Sequence, residues 1–195
     1  SVNLSFDSNE ASFDHWPKKA IFIANHCSQI DINASAASIP YPIVYLSKAS
    51  VRKVPILGLL NERVGTVFID RSNPKAAKES VDRLIATLNR GISVIVYPEG
   101  TRSKDGKLLP FKKGAFHLAA KSHTAIIPLH IHGTRTALPK GSLFLRKNPI
   151  HVRFGKPLMP PIEDDSASLK AFVMQGQEAI ERMKAWHASN IKTPD

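Results

Sequence analysis

Three short apolar runs, each closed by a cluster of polar side chains, constrain the fold of this chain more than any other feature. The runs and the residues that follow them are 20–24 before 25–31, 66–69 before 70–71, and 92–97 before 98–102. Short apolar runs bounded in this way are typical of buried strands. In an open α/β sheet, ligands bind where the carboxyl ends of the strands give way to loops. We therefore expect the three polar clusters to converge on one cleft.

A helix is predicted between the second and third runs. Asn73 and Pro74 precede an apolar stripe at helical spacing, and the stripe stops before Gly91. Its residues are Val81, Leu84, Ile85 and Leu88. Proline in the first turn and glycine after the last turn are the expected helix limits. A strand, helix, strand unit over residues 66–97 favours parallel pairing, and a second unit is expected to start at Ile21. The sequence thus predicts an α/β fold with a mixed, partly parallel sheet flanked by helices.

Two further strands and a long helix are expected in the second half. Residues 125–131 and 149–154 have strand character, although Pro128 would need an edge position or a bulge. Near the end, Asp165 precedes a helical stripe of Leu169, Phe172, Val173, Gly176, Ile180 and Met183. At 195 residues and 43% hydrophobic, the chain is long enough for one sizeable core and short for two. We expect a single domain over 1–195, with a motif-bearing core over about 20–160 and a helix over about 165–188.

His26 and Asp31 are the first candidate catalytic pair, five residues apart. On an ideal helix they would lie about 140° apart and on a strand they would face opposite sides, so neither element lets them touch. A strand ending at His26, a turn, and a helix opening at Asp31 would fold the carboxylate back against the imidazole. A histidine so oriented can take a proton from a substrate hydroxyl near neutral pH. Taken alone, the pair is explained equally well as a strand-end histidine beside a helix-capping aspartate.

The polar clusters carry an ordered set of motifs with a family likeness. The blocks are Asn25-His26 with Ser28 and Asp31, then residues 68–71, 98–102 and 127–128. They resemble the four ordered blocks of the glycerolipid acyltransferases, in particular the 1-acylglycerol-3-phosphate acyltransferases, and the likeness runs from about Ile21 to Leu158. A lone H-x-x-x-x-D is a weak signal, but four blocks in order at family-like spacing are specific.

The resemblance implies an enzyme that moves a fatty acyl group from an acyl thioester to the free hydroxyl of 1-acylglycerol 3-phosphate, giving phosphatidic acid. His26 would be the base and Asp31 its orienter, while Arg71 and Arg102 would bind the phosphate of the acceptor. Acyl-CoA or acyl carrier protein would be the co-substrate, with no further cofactor and no metal. Three alternatives stay open: another lysolipid as acceptor, glycerol 3-phosphate as acceptor, or a non-catalytic basic lipid-binding module.

The substrate-binding residues are predicted from the same likeness and from anion chemistry. Guanidinium offers planar paired donors that match phosphate oxygens, and a glycine beside it lets backbone N–H groups approach an anion. The predicted set is Lys48, Arg71, Glu99, Gly100, Thr101 and Arg102. Local ion pairs are the alternative for the arginines: Arg71 with Asp70 or Glu62, and Arg102 with Glu99 or Asp105. Glu99 has three open roles, which are to hold an arginine, to contact the acceptor, or to shape the turn.

The formal charge of +11 calls for a negatively charged partner. An anionic membrane surface, coenzyme A phosphates and the acidic surface of acyl carrier protein all qualify. Nucleic acid is disfavoured by the 7% aromatic content and by the lack of a recognisable nucleic-acid-binding motif. The apolar runs are shorter than a transmembrane helix requires, and residues 1–17 lack a signal-peptide pattern. We therefore expect a peripheral, membrane-associated protein on the cytoplasmic side.

Other chemistries are weaker. Cys27 is the single cysteine, so an internal disulfide is excluded. A thiol nucleophile paired with His26 is disfavoured, because adjacent side chains in an extended segment point apart, and Cys27 is expected to be a packed thiol. His130 and His132 share one strand face but lack further ligands at metal-binding spacing. Residues that would line an acyl groove, or equally a buried helix face, are Val54, Ile56, Leu57, Leu59 and Leu60.

Overall fold

The computed structural model describes residues 1–8, 12–49, 66–69, 74–162 and 165–191, and these form a seven-stranded sheet flanked by helices. The strands are Val2–Phe6 (β1), Ile21–Ala24 (β2), Ile43–Lys48 (β3), Val67–Ile69 (β4), Ser93–Val96 (β5), Ile126–His132 (β6) and Ile150–Phe154 (β7). The helices are Asp31–Ser38 (α1), Pro74–Asn89 (α2), Gly114–Ser122 (α3), Thr134–Ala137 (α4) and Ser166–Asn190 (α5), with a 3-10 helix at Phe13–His15.

The strand order is β1-β7-β6-β2-β5-β3-β4. All neighbouring strands run parallel except β6 and β7, which are antiparallel. The predicted class, a mixed and partly parallel sheet with flanking helices, is confirmed. The unit predicted over residues 66–97 forms as β4, α2 and β5. However, β4 and β5 are not neighbours, because β3 pairs with both and lies between them.

The apolar run of β2 is continuous because both faces of the sheet are covered. Ile21 and Ile23 point into a core shared with α2, α3 and α5. Phe22 and Ala24 point into a second core with α1 on the opposite face. All four residues are fully buried, as expected for a central parallel strand between two helical layers.

Of the two settings expected for Pro128, the edge strand is wrong and the bulge is observed: between the pairs Leu129–Phe154 and Ile126–Leu158, two residues of β6 oppose three of the neighbouring segment. Pro128 lies within β6, between β2 and β7, and pairs in register with Ile23. Its carbonyl accepts the N–H of Gly155 at 2.8 Å, so its nitrogen also faces the side of β7. The ladder between β6 and β7 begins one residue later, at Leu129 and Phe154. The missing N–H thus faces the bulged segment, where the regular ladder is already interrupted.

The long helix α5 confirms the prediction for the end of the chain. Its N-cap, Asp165, accepts the N–H groups of Ala167 and Ser168 at 2.7 and 3.0 Å. A Cβ at Gly176 would lie 2.7 Å from the ring of Phe116, so only glycine lets α5 pack this closely on α3. In the described part of the chain, no helix is both long enough and apolar enough to cross a membrane.

The topology brings the ends of several strands to one edge. The parallel strands β2, β5, β6 and β3 all end there, and His26, Glu99 and Gly133 follow the first three. Because β7 is antiparallel to β6, it starts at this same edge, where His151 pairs with His132. The polar clusters that follow β2 and β5 thus meet, as the sequence predicts.

Candidate active site

His26 and Asp31 are in direct contact at this edge. His26 Nδ1 lies 2.8 Å from Asp31 Oδ2, because β2 ends just before His26 and a turn brings in the first residue of α1. Asp31 is fully buried, and its Oδ2 also accepts the N–H groups of Cys27 at 2.7 Å and Ser28 at 2.8 Å. Because Asp31 Oδ2 acts as an acceptor in all three contacts, the hydrogen between it and the imidazole lies on Nδ1 of His26. In the neutral imidazole, this tautomer leaves the lone pair on Nε2.

The backbone at His26 is fixed by two neighbouring side chains. Asn25 exchanges two hydrogen bonds with the backbone of Ile131, at 3.0 and 2.7 Å, which ties the end of β2 to β6. Glu99 is buried, and its Oε1 accepts the N–H of His26 at 2.7 Å while Oε2 accepts the N–H of Leu109 at 2.9 Å. Of the three roles left open for Glu99, this geometry favours shaping the turn.

Tyr97 supports the imidazole from its flat side. The rings of Tyr97 and His26 stack with centroids 4.2 Å apart and an interplanar angle of 22°. The Tyr97 hydroxyl lies 3.1 Å from Ser35 Oγ, which anchors the ring to α1. Burial, followed by the charge of Asp31, raises the pKa of Tyr97 well above its usual value, so the phenol stays neutral. The sequence offers no signal for this contact, because it joins two segments that are distant along the chain.

The turn after β5 joins the backbone of His26 through Ser103, the residue next to Arg102. Gly100 has a positive φ of 72°, and its N–H donates to Tyr97 O at 3.0 Å. Ser103, next to Arg102, donates its N–H to the carbonyl of His26 at 2.8 Å. Thr101 is exposed within this turn.

The acidic neighbours of Arg102 have other partners. Asp105 lies 3.7 Å from Lys107 Nζ and accepts from Ser103 Oγ, and both oxygens of Glu99 accept backbone N–H groups. Neither of these two carboxylates forms an ion pair with Arg102, so the local-pair alternative for Arg102 is not supported.

Other predicted site residues are only partly described. Lys48 is the last residue of β3 and pairs in register with Ile69 at the same edge of the sheet. Arg71 lies outside the described residues, and so do Asp70 and the groove candidates Val54, Ile56, Leu57, Leu59 and Leu60. Their predicted roles stay predictions.

Cys27 has the environment of a packed thiol. It is 7% exposed, and its Sγ lies 3.5 Å from Thr134 Oγ1. Burial, followed by the charge of Asp31, raises the pKa of the Cys27 thiol to about 12. Because the thiolate is the nucleophilic form, this cysteine is inert near neutral pH.

Four histidines gather where β6, β7 and α5 meet: His130, His132, His151 and His187. The Nδ1 atoms of His130 and His187 are 2.7 Å apart, and both residues are buried. No three or more His, Cys, Asp or Glu within the described ranges are arranged to hold a metal ion. Burial, followed by the neighbouring histidines, lowers the pKa of His187 to about 3, and burial likewise lowers that of His130.

These buried histidines predict a loss of stability in mild acid. In the unfolded chain they bind protons below their usual pKa of 6.5, but in the fold they stay neutral. Stability is therefore full above pH 6.5 and falls as the pH drops towards 5, by up to about 1.4 kcal/mol per pH unit for each histidine. Urea unfolding between pH 7.5 and 5 measures the slope. We expect His187→Asn to flatten it, and an unchanged slope would contradict this origin.

The sequence of this chain is similar to those of known proteins. A family model described as acyltransferase matches residues 9–132, more than half of the chain. The 1-acyl-sn-glycerol-3-phosphate acyltransferase of Limnanthes douglasii is 42% identical over 153 residues, which are 78% of this chain and 53% of that protein. The protein of the same name from Saccharomyces cerevisiae is 38% identical over 145 residues, 72% of this chain and 48% of its own. The chain thus spans about half the length of these curated relatives.

A solved structure has the same fold. The crystal structure of the 1-acyl-sn-glycerophosphate (LPA) acyltransferase PlsC from Thermotoga maritima superposes with a TM-score of 0.73 at 26% identity. The match covers 94% of this chain and 73% of that chain. The match therefore extends over nearly the whole chain.

Proposed function

This chain belongs to the acyltransferase family, and we propose that it transfers a fatty acyl group from an acyl thioester to the free hydroxyl of 1-acylglycerol 3-phosphate, giving phosphatidic acid. The observation that carries the proposal is the 2.8 Å contact between His26 Nδ1 and buried Asp31. It lies in a chain that is 42% identical to a relative named for this reaction. Acyl-CoA or acyl carrier protein is the proposed co-substrate.

The reaction proceeds by direct transfer. His26 Nε2 takes the proton from the acceptor hydroxyl while the hydroxyl oxygen attacks the carbonyl carbon of the thioester. Asp31 stabilises the imidazolium that forms and holds the ring through Nδ1–H. The carbon–sulfur bond then breaks, and the departing thiolate receives the proton from His26. No acyl-enzyme is required, in keeping with the unreactive environment of Cys27.

The acceptor is held by its phosphate. In this proposal Arg102 and Arg71 donate to the phosphate oxygens, with Lys48 and the Gly100–Thr101 turn nearby. Arg102 supports this role because Glu99 and Asp105 are engaged elsewhere, which leaves its guanidinium without a local ion pair to either of them. An anionic membrane surface on the cytoplasmic side, favoured by the charge of +11, is the proposed location of the reaction.

An assay of thiol release tests the proposal. A panel of acyl-CoA and acyl carrier protein thioesters is combined with a panel of acceptors that includes 1-acylglycerol 3-phosphate, glycerol 3-phosphate and other lysolipids. We expect thiol release to depend on 1-acylglycerol 3-phosphate and to yield phosphatidic acid. Preference for another acceptor would revise the substrate. No release with any pair, while lipid binding persists, would favour a non-catalytic lipid-binding module.

Arg102→Ala is expected to weaken binding of the acceptor and to leave binding of the donor unchanged. Charge-assisted hydrogen bonds to phosphate contribute about 1.5–3 kcal/mol, so the acceptor KM rises roughly 10–100-fold while the donor KM stays constant. Steady-state kinetics with each substrate varied in turn measure this. Lys104→Ala removes an exposed cation from the same loop and is the matched control. An equal loss with an acceptor that lacks phosphate would contradict phosphate binding. Arg71→Ala is expected to behave as Arg102→Ala does.

A further inference from the structure

The loop between α4 and β7 exposes three large apolar side chains in a row. Leu143, Phe144 and Leu145 are 94%, 82% and 70% exposed. Isolated exposed apolar residues are ordinary, but a contiguous group marks a surface that another body covers. We call residues 139–149 the apolar loop.

The apolar loop is closed at its base and shaped at its tip. The N–H of Arg146 donates to the carbonyl of Ala137 at 2.8 Å, which holds together the chain segments on either side of the exposed tip. At the tip, Ser142 Oγ accepts the N–H of Phe144 at 3.1 Å. These hydrogen bonds present the three apolar side chains outward on a defined turn.

The apolar loop stands next to the catalytic pair. Ser28, in the turn between His26 and Asp31, donates its hydroxyl to the carbonyl of Leu138 at 2.7 Å. Lys140 Nζ donates to the carbonyl of Arg102 at 2.7 Å. The loop leaves from α4 and returns to the start of β7, and both lie at the sheet edge that carries the site. Whatever covers the loop is therefore held against the mouth of the site.

The charges around the loop select its occupant. Lys140, Arg146 and Lys147 flank the apolar tip, and the chain has no aspartate or glutamate between Asp105 and Glu163. Cationic flanks with an apolar tip complement an anionic bilayer, where the cations meet headgroups and the apolar side chains enter the acyl region. A second copy of this chain that docked through the same loop would bring its own cationic flanks against these, within a chain whose net charge is also +11.

We infer that the apolar loop inserts Leu143, Phe144 and Leu145 into an anionic lipid bilayer and holds the His26 edge of the sheet against it. The inference deepens the proposed function and rests on it for the substrate: a lysolipid acceptor and an acyl chain then reach His26 directly from the bilayer. The basic flanks supply long-range attraction, and the tip supplies insertion.

Cosedimentation with vesicles tests the insertion. With mixed phosphatidylcholine and phosphatidylglycerol vesicles, the triple variant Leu143→Ser, Phe144→Ser, Leu145→Ser is expected to bind at least about tenfold more weakly. Arg146→Gln with Lys147→Gln is expected to weaken binding by about fivefold for each charge and to reduce its salt dependence. Unchanged binding of the triple variant would overturn the inference.

The matched control removes an exposed apolar side chain from a segment that leaves the opposite edge of the sheet. Ile162 is 99% exposed and follows Leu158, which pairs with Ile126 at the amino end of β6. Ile162→Ser is expected to bind the vesicles as the unmodified chain does. An equal loss in this control would overturn the assignment of insertion to the apolar loop.

Depth and activity measurements separate the inference from the proposed function. Tryptophan fluorescence of Phe144→Trp should shift to the blue on vesicles and be quenched by a lipid-borne quencher; a tip that stays in water overturns the inference. The triple variant should keep its turnover on an acceptor dispersed as monomers and lose it on vesicles. If the unmodified chain uses no acceptor, the proposed function fails while the vesicle data still decide the loop. If the triple substitution only dissociates a dimer and vesicle binding is kept, the loop is a self-interface and the inference is wrong.

Discussion

His26→Ala is expected to lower turnover by on the order of 10²–10⁴ while the fold stays intact, because the general base is lost. The backbone contacts of His26 do not depend on its side chain: its N–H donates to Glu99 at 2.7 Å, and its carbonyl accepts from Ser103 at 2.8 Å. The turn that carries Arg102 should therefore survive the substitution. Thiol release under saturating substrates, with thermal unfolding measured in parallel, separates the chemical loss from a structural one.

Two variants control this result. Cys27→Ser is expected to be nearly silent, because burial raises the pKa of that thiol to about 12. His117→Ala removes an exposed histidine from α3 and should also leave turnover unchanged. If Cys27→Ser is inactive while His26→Ala keeps its turnover, the direct-transfer mechanism is wrong and a thiol nucleophile replaces it.

Asp31→Asn is expected to lower turnover by on the order of 10² or more with a small effect on KM. The amide oxygen can still accept the N–H groups of Cys27 and Ser28, which Asp31 Oδ2 accepts at 2.7 and 2.8 Å. The variant therefore keeps the turn but loses the negative charge that stabilises the imidazolium of His26. Measured kcat and KM, together with the unfolding midpoint, test this separation.

The matched control for Asp31 is a nearby carboxylate outside the pair. Asp105→Asn removes an exposed charge that contacts Lys107 and Ser103, and it should leave kcat unchanged. Asp31→Ala is less informative, because it also leaves two buried backbone N–H groups without an acceptor. A wild-type kcat for Asp31→Asn would return Asp31 to the role of a helix-end residue.

The sequence predicts the local parts of the fold well. Apolar runs and helical stripes mark β2, β5, β6, β7, α2 and α5 to within a few residues. The turn between His26 and Asp31 follows from spacing alone, because neither a helix nor a strand lets those residues meet. By contrast, the sequence does not predict β1, since Val2–Phe6 is short, only partly buried, and forms a strand by pairing with the distant β7.

Long-range order required the structure. The insertion of β3 between β4 and β5 depends on which strands pair with each other, and the sequence between residues 66 and 97 does not indicate it. Pro128 fits inside the sheet because the segment after β7 carries one extra residue opposite it, which is a property of register and not of composition. The exposure of Leu143, Phe144 and Leu145 likewise depends on how the rest of the fold packs around their loop.

The sequence by itself determined the layered α/β class, the pairing of His26 with Asp31 and the family likeness, because each is encoded by residues close together or in an ordered series of motifs. Only the tertiary structure decided that Tyr97 stacks on His26 at 4.2 Å, that Glu99 fastens the turn, and that the apolar loop stands at the mouth of the site. These contacts join segments that are far apart in the chain. Their pairing is selected by the packing of the whole sheet, because a side chain's own periodicity specifies which face it occupies but not which distant residue it meets there.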